Sequence, residues 1–400
     1  MASNRDGRGR SGSEVRYLRA KQFDYHRTMH VIPDKAATAA NRLRLDYRRE
    51  AERLGTPVVP IIDIHSHING PRASKVYDEA RRLYGVRRVY SMNQLPSVGP
   101  VREVLGDAVR FIAFPQFIDP DRSRSHREGF LEAIEKFHRE HGSRMLKLWN
   151  APALQDVLKS AGGATDLREV DSPWRVKACE LGERLGMMYM IHLADPDTWF
   201  KTKYTDSSVY GVKRELYHGL ERMLDRFTAP WIAAHMGGWP EDLVFLDGLL
   251  TRHPNLHLDT SATRWVVREL GRQPRDHVRA FFRKWTGRIL FGSDLVVMDD
   301  QLTKEKTAGS PRGELASSPE EALELYCSRY WALRTMFETD YDGESNIADP
   351  DLKMMEPERY DEMAGPRMQG LALPPEDLRV LYAGAAERVV EAWWSAHGGW

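Results

Sequence analysis

Two histidines, His65 and His67, close the string Ile61-Ile62-Asp63-Ile64-His65-Ser66-His67. The string continues an apolar run, Val58-Val59-Pro60-Ile61-Ile62, that reads as a buried strand. Side chains alternate across a strand, so both imidazoles point to one face. Two imidazoles leaving one strand end can grip a single metal ion. The plain alternative is two histidines in a polar turn, each hydrogen-bonded to backbone; their same-face placement at the end of an apolar strand favours metal. Asp63 shares their parity and is expected to face the same interior and to brace a ligand histidine from below.

The elements that must position this pair follow from periodicity. Residues 36–54 read as a helix carrying Leu43, Leu45 and Leu54, stopped by Gly55. Strand-like and helix-like segments then alternate. Further strands are expected at 85–90, 109–114, 145–149, 187–192, 231–235, 256–259 and 288–291, and helices at 75–84, 126–141, 173–185, 209–226, 241–252 and, mostly, 264–284. Eight strands separated by helices predict a parallel sheet, and the repeat matches a closed (β/α)8 TIM barrel. An open doubly wound sheet would carry a Gly-rich phosphate loop after its first strand, and none is present.

The expected organisation is a basic tail at 1–22, a helical extension at 23–57, the barrel at 58–300, and C-terminal loops and helices at 301–400. In the last region, 301–318 read as loop, 319–338 as helix, 339–375 as a surface loop or subunit contact, and 376–395 as a final helix that closes the barrel. The acidic run Asp340-Tyr341-Asp342-Gly343-Glu344-Ser345-Asn346 has its glycine at the wrong position for a calcium-binding EF-hand.

Composition removes several function classes. The 400 residues contain 58 Lys+Arg and 58 Asp+Glu, so no global charge argues for nucleic acid or an anionic membrane. Apolar content of 42% supports a substantial core. Two cysteines, Cys179 and Cys327, provide neither a disulfide framework nor a thiolate cluster and suit a reducing compartment. No apolar stretch approaches the roughly 20 residues needed to span a bilayer. The N-terminus lacks the apolar core of a secretory signal. The expected location is the cytoplasm.

In a barrel, chemistry sits at the C-terminal ends of the strands. There this sequence places His65 and His67 (first strand), Lys147 (fourth), His192 (fifth), His235 (sixth) and Asp294 (after the eighth). Together with Ala234-His235-Met236-Gly237-Gly238, Pro254-Asn255-Leu256-His257-Leu258-Asp259-Thr260-Ser261 and Phe291-Gly292-Ser293-Asp294, these residues resemble the amidohydrolase superfamily. The resemblance is to its amidohydrolase-related branch, which includes the aminocarboxymuconate-semialdehyde decarboxylase type. It covers about residues 58–295. It implies one divalent metal ion, zinc or alternatively manganese, held by His65, His67, His192 and Asp294. It also implies His235 as a proton shuttle facing the reacting group and Asp294 as a proton acceptor. Lys147, at the position where binuclear relatives carry a carboxylated lysine, is expected to stay unmodified beside a mononuclear site.

The remaining polar residues have quieter readings. His257 is expected to pack in the core and His253 to cap a helix, whereas Asp259 is as readily a ligand brace as a turn former. Around the mouth, Trp149, Trp199, Trp239 and Trp265 follow strand ends, as do Arg72, Arg264, Lys201 and Lys203. They suggest a small planar or aromatic carboxylic acid, amide or lactone as substrate. The leading expectation is a metal-dependent hydrolase cleaving a C–N or C–O bond. Its alternatives are a non-oxidative decarboxylase of an aromatic or unsaturated acid, a hydratase, and a non-catalytic small-molecule-binding barrel. A homodimer is the expected assembly.

Overall fold

The computed structural model describes residues 29–159, 165–306 and 312–400; the expected basic tail at 1–22 lies outside them. Eight strands follow the expected order: β1 (Ile61–Ile68), β2 (Val86–Met92), β3 (Val109–Ile112), β4 (Met145–Trp149), β5 (Met188–His192), β6 (Trp231–Ala233), β7 (Leu256–Asp259) and β8 (Ile289–Leu290). Neighbouring strands pair in parallel throughout. Two seams close the sheet on itself. Ala113 N donates to Met145 O (2.9 Å) and Lys147 N to Ala113 O (2.8 Å), joining β3 to β4. Ile64 N donates to Phe291 O (3.0 Å) and Asp294 N to His65 O (2.9 Å), joining β1 to β8. The short β9 (Leu295–Val297) then continues along β1 past the Gly292-Ser293-Asp294 break. The architecture is a (β/α)8 barrel, and closure excludes the open sheet.

Strand alternation divides the core in two. Ile62, Ile64, Met145, Met188, Met190, Ile232 and Leu290 fill the barrel interior. Leu146, Leu148, Ile191, Ala233, Leu258 and Phe291 point outward into the helical layer. Each of the leucine, isoleucine, methionine and phenylalanine side chains, fully withdrawn from water, contributes about 1.5–3 kcal/mol. The final helical stretch, 375–396, plugs the N-terminal end of the barrel: Ala383, Ala386, Val390 and Trp394 join the interior cluster.

Two expectations are corrected and one is refined. The helix expected at 36–54 is confined to Tyr47–Leu54. Asn41 accepts from Leu45 N (2.7 Å) and donates to Leu45 O (2.9 Å), and Arg44 sits at φ 54°, so a side chain takes over the backbone pairing a helix would need. The segment at 264–284 is two helices, Thr263–Arg272 and Arg275–Lys284, broken at Pro274, whose missing N–H and fixed φ start the second. The stretch at 339–375 is not a surface loop. It forms an antiparallel hairpin, β10 (Asp342–Glu344) with β11 (Arg367–Gln369), and a short helix, Pro350–Met355, and it buries Ser345, Asn346, Ile347 and Asp349. Asn346 Nδ2 donates to Tyr47 Oη (2.8 Å) and Ser328 O (3.0 Å), and Asp349 and Asp351 clasp the buried Arg268.

One buried group makes the fold acid-sensitive. His126 is buried between Phe117 and Trp149, and among the described residues neither ring nitrogen has a hydrogen-bond partner. Burial, reinforced by Arg175, Arg127 and Arg122, pushes it down to about 2. The fold therefore holds His126 neutral while the unfolded chain takes up a proton below its ordinary pKa. Its contribution is complete above that pKa and declines as pH falls. Between pH 7 and pH 5 this residue alone should cost about 2 kcal/mol of unfolding free energy. Urea titrations at the two pH values check this, and His126→Phe should flatten the dependence.

Candidate active site

The register of β1 decides how its histidines project. Asp63 pairs with Val89 and Ser66 with Ser91, so a three-residue step of β1 faces a two-residue step of β2. This bulge turns Ile64 and His65, though adjacent, both inward. It also overturns the parity argument for Asp63, which faces the helical layer instead. Asp63 Oδ1 accepts from His65 N (3.1 Å) and Ser293 N (3.1 Å), and Oδ2 from Ser293 Oγ (2.6 Å) and Tyr330 Oη (2.9 Å). Asp63 thus fastens β1 to the loop bearing Asp294 from behind. Tyr330→Phe should lower stability by about 1–3 kcal/mol, read from urea unfolding, since it withdraws a donor from a buried carboxylate.

Three strands end in left-handed backbone at non-glycine residues: His235 (φ 59°) after β6, Ala262 (φ 60°) after β7 and Asp294 (φ 58°) after β8. Such conformations cost of order 1–3 kcal/mol each and persist where the surroundings enforce them. Asp259 supplies the enforcement on two of these strand ends: its Oδ1 accepts from His235 N (2.8 Å) and Ser261 N (3.0 Å).

The imidazoles gather above the interior cluster. His65 Nε2 and His67 Nε2 each lie 3.4 Å from Asp294 Oδ1, and the three form a set able to hold a cation. Asp259 Oδ2 stands 2.7 Å from His65 Nδ1, which fixes that proton at Nδ1 and leaves the Nε2 lone pair for a ligand role. Burial pushes His67 down to about 3 against the pull of Asp294, so the ring stays neutral, as a metal ligand must. Asp294 is held well below the usual carboxylate range: burial opposes this, but the hydrogen bond from His67 outweighs it. Two neutral imidazoles and a carboxylate are the donor chemistry of an open catalytic site for a divalent ion. Lys147 Nζ lies 2.7 Å from His65 Nε2, so a cation entering there displaces this amine; burial has already pushed Lys147 down to about 8.

His192 stands apart from the three. Its ring is 4.4 Å from that of His235, but Nδ1 accepts from Trp149 Nε1 (3.2 Å) and Nε2 meets Asp195 Oδ1 (3.0 Å), which is in turn held by Tyr204. The structure therefore gathers three of the four expected ligands and orients the fourth through Asp195 and Trp149.

The tautomer of His235 follows from Ser261. The Ser261 hydroxyl donates to Asp259 Oδ1, so Ser261 Oγ accepts from His235 Nδ1 (2.7 Å). That leaves Nε2 as the basic nitrogen. Burial, then His192, hold His235 well below its ordinary value, so it rests neutral.

A cavity of about 180 Å³ opens beside these groups, walled in part by His192, His235, Asp294, Trp199, Trp265 and Arg264. Trp239 is not part of that wall; it stacks on Tyr217 and packs on Phe245. Arg72 is exposed, is not part of the cavity wall, and pairs with Asp299 (3.2 Å). Lys203 lies over the Trp199 ring at 3.6 Å, outside the cavity. His257 is a core residue bonded to backbone carbonyls, and His253 pairs with Glu221 and Asp225. Sequence reasoning did not single out Ser261, Asp195, Tyr204 or Tyr330. Ser261 and Asp195 each lie within three residues of a strand end and could have been found there; Tyr330 lies in a distant helix and carried no signal.

No protein-family model matches this chain, and no curated protein matches it. Among solved structures it is similar to an uncharacterized TIM-barrel protein from Bordetella bronchiseptica, at 13% identity over 84% of this chain and 99% of that one, with a TM-score of 0.45. A 2,6-dihydroxybenzoate decarboxylase complexed with 2,6-dihydroxybenzoate matches at 12% identity over 84% and 99% of the two chains (TM-score 0.40). An amidohydrolase from Burkholderia multivorans with bound HEPES matches at 13% identity over 82% and 98% (TM-score 0.41). The fold assignment rests on the strand order and closure themselves.

Proposed function

We propose that this barrel is a metal-dependent enzyme of the amidohydrolase type that cleaves a C–N or C–O bond of a small organic molecule by adding water. The observation that carries this reading is the convergence of His65 Nε2 and His67 Nε2 on Asp294 Oδ1, with a neutral His235 beside them. Bound by these three side chains, with His192 as a further ligand if it turns from Asp195, zinc or manganese would supply a Lewis acid that polarises a carbonyl and acidifies water.

The chain's own groups then have separable tasks. Asp259 holds His65 in one tautomer. Ser261 holds the proton of His235 at Nδ1, which makes Nε2 a base that first accepts a proton and then returns it to a leaving amine or alcohol. Trp199 and Trp265 offer flat apolar walls to a planar substrate.

Arg264 in the cavity wall favours a second reading, non-oxidative decarboxylation, because a guanidinium suits the carboxylate such a substrate must carry. A split screen tests both: amides and lactones scored for acid or amine release, aryl carboxylates for carbon dioxide release, each with zinc and with manganese. Turnover of amides or lactones that is lost in His235→Ala supports hydrolysis. Carbon dioxide release without hydrolysis replaces it with the second reading.

A further inference from the structure

Away from the active cavity, positive charge gathers where the loop after β3 meets the segment between β4 and β5. Arg175, on the helix Pro173–Arg184, is fully buried, and His126, directly after the single turn Arg122–Ser125, is nearly so. Arg175 Nε donates to Asn150 Oδ1 (3.0 Å) and Nη2 to Trp149 O (2.8 Å), but among the described residues Nη1 has no partner. Arg122 Nη1 is likewise enclosed and unpartnered there, as are both ring nitrogens of His126. None of these three residues lines the active cavity.

The charges at this place do not cancel. Arg175, Arg127 and Arg122 all act on His126. The carboxylate acting on Arg175 is Asp166, and Arg127 already holds it at 2.6 and 2.9 Å. The acidic residues next to Arg122 are engaged as well: Asp121 Oδ1 accepts from Arg124 N (2.9 Å), and Asp119 lies 3.6 Å from the Arg124 guanidinium. Burial pushes Arg175 down to about 10, so it remains charged at neutral pH. A buried cation left unpaired is strongly destabilising. An anion among these donors removes the imbalance: Arg122 Nη1 and Arg175 Nη1 supply charge-assisted N–H groups, and the neutral imidazole supplies one more. The unpartnered atoms are shut off from solvent, and the rings of Phe117 and Trp149 flank His126. Such an enclosure suits a monatomic ion and not an organic acid.

We propose that Arg122, His126 and Arg175 form a buried structural site for a monovalent inorganic anion of chloride's size. The site does not depend on the function proposed above. Trp149 joins it to the active centre: its carbonyl accepts from Arg175, and its indole N–H donates to His192 Nδ1 (3.2 Å). The anion therefore steadies the residue that orients His192. It also offsets the guanidinium charges that, after burial, hold His126 neutral, so chloride should shrink the acid dependence given above.

The test is thermal unfolding of the full chain at constant ionic strength, with sodium methanesulfonate replaced stepwise by sodium chloride. Chloride should raise the unfolding midpoint saturably, by about 3 °C at a hundredfold excess over its dissociation constant. Arg122→Gln, a change at a partly exposed residue, should shift the response to about tenfold higher chloride, and Arg175→Met should abolish it. Arg124→Gln, which removes an exposed guanidinium paired with Glu132 (2.6 Å), should leave the response unchanged. So should His67→Ala, because the site does not use the imidazole cluster. Bromide soaked into crystals should give an anomalous peak between Arg122 Nη1 and Arg175 Nη1. Equal midpoints in the two sodium salts overturn the proposal. So does a chloride response that survives both Arg122→Gln and Arg175→Met, and so does one lost in His67→Ala, which would move the anion to the metal centre and leave the metal reading standing. A response to sulfate without one to chloride overturns the assigned ion.

Discussion

Purified His67→Ala should retain almost none of the divalent metal that the parent chain is expected to carry, measured by mass spectrometry of the purified proteins. Three atoms define the cluster: His65 Nε2, His67 Nε2 and Asp294 Oδ1. Removing one leaves two, and of those His65 Nε2 is contested by Lys147 at 2.7 Å. Loss of an outer hydrogen-bond partner of a metal ligand typically weakens binding 10–100-fold, so loss of the ligand itself should exceed about 100-fold. Turnover should fall with the metal. The fold should survive, because His67 is only partly buried, its imidazole packed edge-on to Phe114, 5.6 Å away, and unfolding should shift by no more than about 1 kcal/mol. Undiminished metal in a folded His67→Ala protein would remove His67 from the ligand set. A parent chain without metal after growth in zinc and manganese would sink the metal reading and leave a small-molecule-binding barrel.

Asp259→Ala should be the more damaging substitution to the molecule as a whole. The carboxylate is fully buried, accepts from His235 N, Ser261 N and the Ser261 hydroxyl, and faces His65 Nδ1 at 2.7 Å. Burial alone would raise its pKa, but His65, His235 and Ser261 outweigh that and hold it well below the ordinary carboxylate range. Alanine strands every one of those donors in the interior. The expected loss is about 3–5 kcal/mol of unfolding free energy, the magnitude seen when one partner of a buried charged network is removed. Metal affinity should also fall about 10–100-fold, because His65 loses the partner that fixes its tautomer. Urea unfolding and competition with a chromogenic chelator separate the two effects. Asp259→Asn, which keeps the volume and one acceptor, should recover part of the stability and little of the affinity. If Asp259→Ala changes neither quantity, Asp259 is not the brace described above.

The strands of this barrel were readable because each is a short apolar run bounded by polar turns, and a strand buried on both faces needs nothing more. The candidate site was readable for a related reason. In a closed barrel the C-terminal strand ends converge, so His65, His67, His235 and Asp294 could be placed on one face by chain position alone. Asp63 shows where this reasoning stops. Strict alternation put it inside with His65, but one extra residue in the β1–β2 register reverses the parity at that point, and a bulge leaves little trace in composition.

Local sequence by itself determined the eight strands, most of the helices, and the set of imidazoles and carboxylates at the barrel mouth, because these depend on hydrophobic periodicity and on position along a strand. Tertiary structure decided which of them touch. It drew His192 toward Asp195 and Trp149, made Asp259 the common acceptor of three neighbours, carried Tyr330 to Asp63 and Arg329 to the cavity, and folded the stretch expected as surface loop against Arg268. Each is a contact between segments whose meeting depends on barrel closure and helix packing, and no local preference of either segment encodes its partner.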